Sequence, residues 1–272
     1  MLTLSPTPTR WRPSPLLVIS IILHSAAIGG LIIDPASWRW ALLAVALNHA
    51  VLTVAVLWPQ NRLLGPNWNR LPQAAANRGE IALTIDDGPD PEVTPQVLAI
   101  LAAHDVRATF FCIGRNVARY PELAREIAGH GHALENHSDD HGWHFALLGV
   151  GGFTRELAAA QQKIAGVAGV LPLFFRAPAG VRSPLLDPAL CRIGLRLASW
   201  TRRGFDTVER DPATVLRRLL NDLQAGDILL VHDGNSARTV SGTPVIVEVL
   251  PQVLAAIRTA GLRPVTLRAA LQ

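Results

Sequence analysis

The chain has 272 residues, with 25 Lys and Arg against 21 Asp and Glu, for a net charge of only +4. That balance gives no strong field for nucleic acid, and two cysteines, Cys112 and Cys191, cannot build a disulfide framework. Hydrophobic residues make up 49% and the mean hydropathy is +0.26, more apolar than a wholly soluble enzyme needs.

The apolar excess sits at the N-terminus. Leu16 to Ile33 is almost entirely apolar, and a second run extends from Trp40 to Trp58. Each is close to the roughly 20 residues that span a bilayer core. The link from Asp34 to Arg39 is polar and breaks helix. Trp11, Trp38, Trp40, Trp58 and Trp68, five of the 7 tryptophans, lie near the ends of these runs, where interfacial Trp collects. Residues 1–60 therefore predict a transmembrane helical hairpin embedded in a bacterial-type inner membrane. The alternative is a signal peptide, with Arg10 and Arg12 as its basic start, followed by a buried helix. The length of the first run and the immediate second run favour the hairpin. His24 and His49, inside the spans, are expected to be neutral and satisfied between the two helices rather than to form a site. Residues 61–78, with Pro66, Pro72 and several Asn, read as a linker. Arg10, Arg12, Arg62, Arg70 and Arg78 flank the hairpin, while the link has Arg39 balanced by Asp34. This bias places both flanks, and the domain that follows, in the cytoplasm.

Residues 79–272 read as one α/β domain. Apolar strand candidates at 81–85, 108–113, 133–135, 173–175, 195–200, 228–231 and 264–267 alternate with helical patterns at 95–104, 121–130, 154–167, 185–192, 212–224 and 245–260. Cys112 falls inside one apolar run and reads as core. Repeated β-then-α predicts a parallel sheet with covering helices, and about seven units in this length suggest a distorted or incomplete (β/α) barrel. Chemistry in such folds sits past the C-terminal ends of strands. Asp86 and Asp87, Asn136 and His137, Arg176, Asp206, then His232 and Asp233 all fall there.

Asp86 and Asp87 end the first strand and are followed by Gly88-Pro89. Neighbouring side chains at a strand end point apart, so one can hold a metal while the other faces a substrate or water; a polar turn capping the strand is the plainer reading. His137 and His141 are four apart, and one helical turn would put both on one face. With Asp87 they form a two-His, one-carboxylate set that leaves coordination positions open. Histidines in a polar surface loop are the alternative. Arg176, straight after a strand, can pair with a carboxylate, and the turn through Pro178 and Gly180 can aim amides at an oxyanion. His232 emerges from a buried strand and suits a general acid near neutral pH, unless it merely caps the strand. His104, His130, His132 and His144 read as surface or turn residues.

The pattern from Glu80 to Leu267 resembles the polysaccharide deacetylase family, the NodB-homology carbohydrate esterases. Five motifs in order carry the likeness: Thr84-Ile85-Asp86-Asp87-Gly88-Pro89, His137-Ser138-x-x-His141, Arg176-x-Pro178-x-Gly180, the stretch Trp200 to Asp206, and Leu230-x-His232. The resemblance implies a hydrolase of the amide in N-acyl aminosugars. It implies that Asp87, His137 and His141 bind a divalent metal, usually zinc (Zn2+). Asp86 would be the general base, oriented by Arg176, and His232 the general acid, oriented by Asp206. The backbone amide at Ala179 would help hold the oxyanion. Two departures stand out. Ala179 occupies a position where the family has Tyr or Phe. Thr207 follows Asp206 where the family has Trp, and Arg203 replaces an acidic residue. The substrate groove therefore lacks aromatic walls while the acid–base set is complete. Expected substrates are an N-acylated aminosugar glycan or a lipid-linked sugar, including a deformylase or deacylase of a polyprenyl-phosphate-linked sugar. A catalytically silent membrane binding module is the reading from another class.

Overall fold

The structure is a computed structural model that describes residues 6–272. Helices α1 (Pro15–Ile33) and α2 (Trp38–Leu57) come first, 19 and 20 residues long. At about 1.5 Å per residue each reaches the thickness of a bilayer's hydrocarbon core. Ser14 caps α1 by accepting from the Leu17 amide, and Pro15 starts it where no amide is needed. Asp34 ends α1 and its carboxylate accepts from the Ala36 amide at 3.1 Å, turning the chain into α2. The pair is inside out. Within it Ser20, Asn48 and Ala55 are buried, whereas Ile21, Ile22, Ile28, Leu42, Leu47 and Val54 are exposed. Asn48 donates to Ser20 Oγ at 2.8 Å. His24 Nδ1 meets the Ser20 carbonyl at 2.7 Å, and its Nε2 faces His49 Nε2 at 3.4 Å. Polar groups paired between helices, with aliphatic side chains outward, suit lipid rather than water.

Beyond the hairpin the order is α3 (Gln73–Asn77), β1 (Glu80–Asp86), α4 (Thr94–Ala103), β2 (Thr109–Cys112), α5 (Gly114–Arg119), α6 (Pro121–Gly129), β3 (Ala133–Asn136), α7 (Val150–Ala168), β4 (Phe174–Phe175), α8 (Leu186–Ile193), β5 (Arg196–Leu197), β6 (Arg202–Arg203), α9 (Pro212–Leu220), β7 (Ile228–His232), α10 (Val245–Thr259) and β8 (Arg263–Val265). The strands are all parallel, in the order β5-β4-β3-β2-β1-β7-β6, with β8 added to the start of β1. β5 and β6 do not pair with each other, so the barrel is incomplete, as the alternating pattern predicts. Period-two alternation sorts β1 between two layers. Ile81, Leu83 and Ile85 pack under the outer helices with Val97, Leu101, Val249 and Val253. Ala82 faces the barrel interior with Phe111, Phe174, Trp200 and Leu230.

Residues 61–78 are packed rather than free. Trp68 pairs with Ala198 beside β5, and the Leu71 amide donates to the Gly226 carbonyl at 2.9 Å. Leu64, Leu71 and Ala75 are buried, and Arg70 lies 3.0 Å from Asp227. The segment plugs the open side of the barrel. Its Pro and Asn punctuation reads as linker, but four well-spaced apolar residues fill the gap. The sequence also conceals β6. Two arginines make no apolar run, and only their pairing with Leu229 and Leu230 of β7 defines the strand.

Candidate active site and metal centre

β1 delivers the paired carboxylates to the C-terminal rim. Asp86 is its last residue, and Asp87 turns the chain with φ 77°, so the two carboxylates diverge. Asn116 Nδ2 holds the Asp87 carbonyl at 3.0 Å. On the other side a Cβ at Gly234 would lie 2.5 Å from that carbonyl, so only glycine allows the approach. Asp86 Oδ1 accepts from Arg176 Nη1 at 2.6 Å. Arg176 is 1% exposed, and each of its guanidinium nitrogens has a partner. It donates to Thr84 Oγ1, the Ala198 carbonyl and the Ser199 carbonyl, and its guanidinium lies 4.1 Å from the Phe111 ring centroid. One Asp86 oxygen is thereby fixed, and the other, Oδ2, is directed toward the cleft, 3.9 Å from His137 Nε2.

His137 and His141 come together, but not on a helix. β3 ends at Asn136, whose Oδ1 accepts from the Ser138 amide at 2.9 Å. Ser138 Oγ then accepts from the His141 amide at 3.0 Å. Ser138 (φ 64°) and His141 (φ 52°) are left-handed, so the intervening residues form a tight polar loop. Side chains that accept from the backbone build this loop more readily than a helical turn. The ring centroids are 4.8 Å apart.

His137 Nδ1 lies 2.9 Å from the Arg176 carbonyl, which can only accept, so Nδ1 carries the proton and the neutral ring leaves Nε2 bare. That Nε2 is 3.1 Å from Asp87 Oδ1, and His141 Nε2 is 3.3 Å from the same oxygen. Asp87 Oδ1 is buried and has no hydrogen-bond partner. Lone pairs facing one another at this range are reconciled by a cation. Asp87, His137 and His141 offer ligand atoms that all lie within 4.8 Å of each other, so they fit a divalent metal. Burial would raise the Asp87 carboxyl, but contact with His137, and the charges of His232 and His141, hold it well below the ordinary value. Burial and the neighbouring His137 lower His141. An ionised Asp87 and a His141 biased toward its neutral form favour ligation.

His232 ends β7 opposite Asp86 in register. Asp206, fully buried, grips it twice. Oδ1 accepts from His232 Nδ1 at 2.9 Å and Oδ2 from its amide at 2.7 Å. Nε2 is left for the cleft. Burial opposes charging His232, but Asp206, with Asp86 and Asp87 beyond, raises it above the usual imidazole value.

Asp86, Asp87, His137, His141 and His232 line one cleft of about 210 Å³ with Ala177, Ala179, Gly180, Trp200, Arg203, Thr207 and Asn235. A larger cavity of about 370 Å³ beside Trp68, Cys191 and Leu195 lacks this acid–base set, so chemistry rather than size locates the site. Ala179 sits in the wall at φ 54°, ψ 6°, an unfavourable conformation for a residue with a Cβ, of the kind that clusters at functional sites. Arg203, over the rings of Trp200 and Phe205, makes the wall cationic, and Trp200 gives the cleft one aromatic side, so the expectation of a groove without aromatic walls holds at Ala179 and Thr207 but not throughout.

Sequence reasoning missed Asn235, whose Nδ2 donates to Asp87 Oδ2 at 3.1 Å. The Asp233-Gly234-Asn235 turn behind His232 was its signal. It also misplaced His132, which is buried and accepts from the Ala108 amide at 3.1 Å while stacking near Phe110. Burial first, then His130 and Arg107, lower it to about 4, so it serves as a neutral core residue.

A family model described as polysaccharide deacetylase matches residues 73–198. The match ends before Asp206 and His232. A peptidoglycan-N-acetylglucosamine deacetylase of Bacillus cereus is 29% identical over 199 residues, covering 72% of this chain and 70% of that protein. A chitooligosaccharide deacetylase of Azorhizobium caulinodans is 36% identical over 161 residues, covering 58% of this chain and 75% of that protein. Among solved structures, a peptidoglycan N-acetylglucosamine deacetylase superposes with a TM-score of 0.67 at 27% identity, over 75% of this chain and 92% of that one.

Proposed function

The chain belongs to the polysaccharide deacetylase family, and from that premise we propose that it is a membrane-anchored, metal-dependent N-deacetylase. Its substrate would be an N-acyl aminosugar, in a glycan or on a lipid carrier, and its products a small acid and a free amine. The observation that carries the reading is the unpartnered Asp87 Oδ1 facing two imidazole nitrogens, between an Arg-held carboxylate and an Asp-held imidazole. A silent binding module would have no need of that set. We take residues 1–60 as the anchor, 61–78 as the segment that docks it, and 79–272 as the catalytic domain.

Asp87, His137 and His141 would hold the divalent metal, with zinc the best fit to a two-His, one-carboxylate set. The ion would supply polarisation of the acyl carbonyl and a lower pKa for an attacking water. Asp86 Oδ2 takes the water's proton, because Arg176 occupies Oδ1 and keeps the carboxylate in place. The Ala179 amide, held at the cleft wall by its left-handed conformation, stabilises charge building on the acyl oxygen. His232 donates from Nε2 to the departing nitrogen, and Asp206 holds both the tautomer and the ring angle.

Asp206 should therefore set the alkaline limb of activity. It raises His232, so the acid form persists to higher pH. In Asp206→Asn that support is lost, and the alkaline limb of the kcat profile moves to lower pH. The loss at the optimum stays below the about 10²–10⁴ expected for removing the acid outright. An unmoved limb would assign the proton to another group. Acetate release from chito-oligosaccharides, compared with release from N-acyl sugars on polyprenyl phosphate, tests the function and sorts the two substrate classes. Release from neither would remove the proposal.

The side of the membrane follows from charge. Arg10, Arg12 and Arg62 flank the hairpin, whereas Arg70 and Arg78 are engaged by Asp227 and Glu80. The remaining excess over the Arg39 link still favours a cytoplasmic catalytic domain. A fusion at Gln272 to an enzyme active only outside the cytoplasm is expected to be inactive. Strong activity would move the domain, and the preferred substrate, to the outside.

A further inference from the structure

We propose that the catalytic rim lies in the lipid headgroup layer, so that the cleft takes N-acyl aminosugars carried on a membrane lipid. This rests on the hairpin and deacetylase readings above and adds to them where the site stands relative to the bilayer. The first observation is how the second span joins the domain. The Val56 carbonyl, in the last turn of α2, accepts from the Arg182 amide at 3.1 Å. Trp58 then marks the end of the apolar run, half exposed, as an interfacial Trp would be. The next residue, Pro59, seats on Gly180, where a Cβ would meet Pro59 Cγ at 2.8 Å and Trp200 at 2.6 Å. Gly180 and Trp200 line the cleft. One residue of chain, about 3.8 Å, therefore separates the interfacial Trp from a residue touching the cleft wall. The headgroup region adds only about 5–7 Å per leaflet beyond the hydrocarbon core. The cleft wall falls at that depth.

The second observation is independent of the first. Past residue 60, nine large apolar side chains are exposed among the described residues. Six stand on loops that leave the C-terminal ends of strands: Trp143 and Leu147 after β3, Leu185 after β4, Phe205 and Val208 after β6, and Val240 after β7. Trp143 is 90% exposed, Leu147 79% and Val208 75%. Single exposed apolar residues are ordinary. Their gathering on the one edge that the spans enter is explained by an interface that receives them. A sugar presented there on a lipid reaches the cleft without leaving the membrane surface.

The test uses the full chain in lipid nanodiscs carrying headgroup-proximal quencher lipids. In a Cys191→Ser background, with Cys112 buried, single cysteines at Leu147 and Val208 carry an environment-sensitive fluorophore. Ile33→Cys, at the exposed far end of α1, marks the hairpin, and Thr259→Cys marks the opposite edge of the barrel. Leu147 and Val208 are expected to be quenched at least several-fold more than Thr259. Quenching at Ile33 with rim labels no different from Thr259 overturns the proposal while sparing the hairpin; absence of quenching at Ile33 overturns both. The Leu147→Ser/Val208→Ser double variant should keep acetate release from soluble chito-oligosaccharide and lose about tenfold on the same sugar attached to lipid in vesicles. Equal rates on the two forms count against the rim. Rim-labelled variants that are quenched, with a wild-type chain that releases no acetate from either sugar, would sink the deacetylase reading and, with it, the lipid-carried substrate.

Discussion

Asp86→Asn is expected to keep its metal and to lose turnover by about 10²–10⁴, the range for a removed general base. The change is nearly isosteric. The amide can still contact Arg176, so the rim should not rearrange, but it cannot accept the water's proton. Arg176 is what makes the variant informative. Its guanidinium occupies Oδ1 of Asp86, and burying it beside an amide leaves its charge less well matched, so a modest loss of stability accompanies the loss of rate. His232→Ala should fall by a similar factor, with metal retained, because His232 is held by Asp206 rather than by the ligand cluster. Metal content and kcat measured on the same preparation separate proton transfer from ligation. Loss of metal from Asp86→Asn would exchange the roles of the two adjacent carboxylates.

His137→Ala should lose metal and activity together. The imidazole is one of the three proposed ligands, it is 2% exposed, and its Nδ1 is anchored to the Arg176 carbonyl. Removing an outer-shell partner typically costs about 10–100-fold in metal affinity, so deleting a ligand itself should exceed that. Chelation of the wild-type chain is expected to abolish acetate release and readdition of zinc to restore it. Titration calorimetry on His137→Ala that returned wild-type affinity would remove His137 from the site.

Much of this was legible in the sequence because strand ends announce themselves. An apolar run that stops at Asp86-Asp87, and another that stops at His232, mark the C-terminal edge of a parallel sheet, and one topology rule puts both on one rim. What joins them was less visible. The pairing of His137 with His141 was foreseen, but through helical spacing rather than through the Asn136 and Ser138 side chains that fold the loop. Asn235 went unread because a turn asparagine has no periodicity. Residues 61–78 misled because proline and asparagine punctuate both linkers and plugs, and only the open side of the barrel decides between them. β6 was invisible because two arginines earn their strand from β7 alone. The inside-out packing of Ser20 and Asn48 needed a structure, since an apolar run does not say which of its residues face one another.

The proposed reaction needs a metal centre and an acid–base pair acting together on one amide. Its most direct measurement is the yield of acetate and of primary amine from N-acetylglucosamine oligomers, free or lipid-attached, set against bound zinc in the purified full chain. Equal amounts of both products are expected, rising in proportion to metal up to one ion per chain and falling by about 10²–10⁴ in Asp86→Asn with the metal still bound. Acetate release that is indifferent to chelation, or a fully metal-loaded chain that releases none, would contradict it.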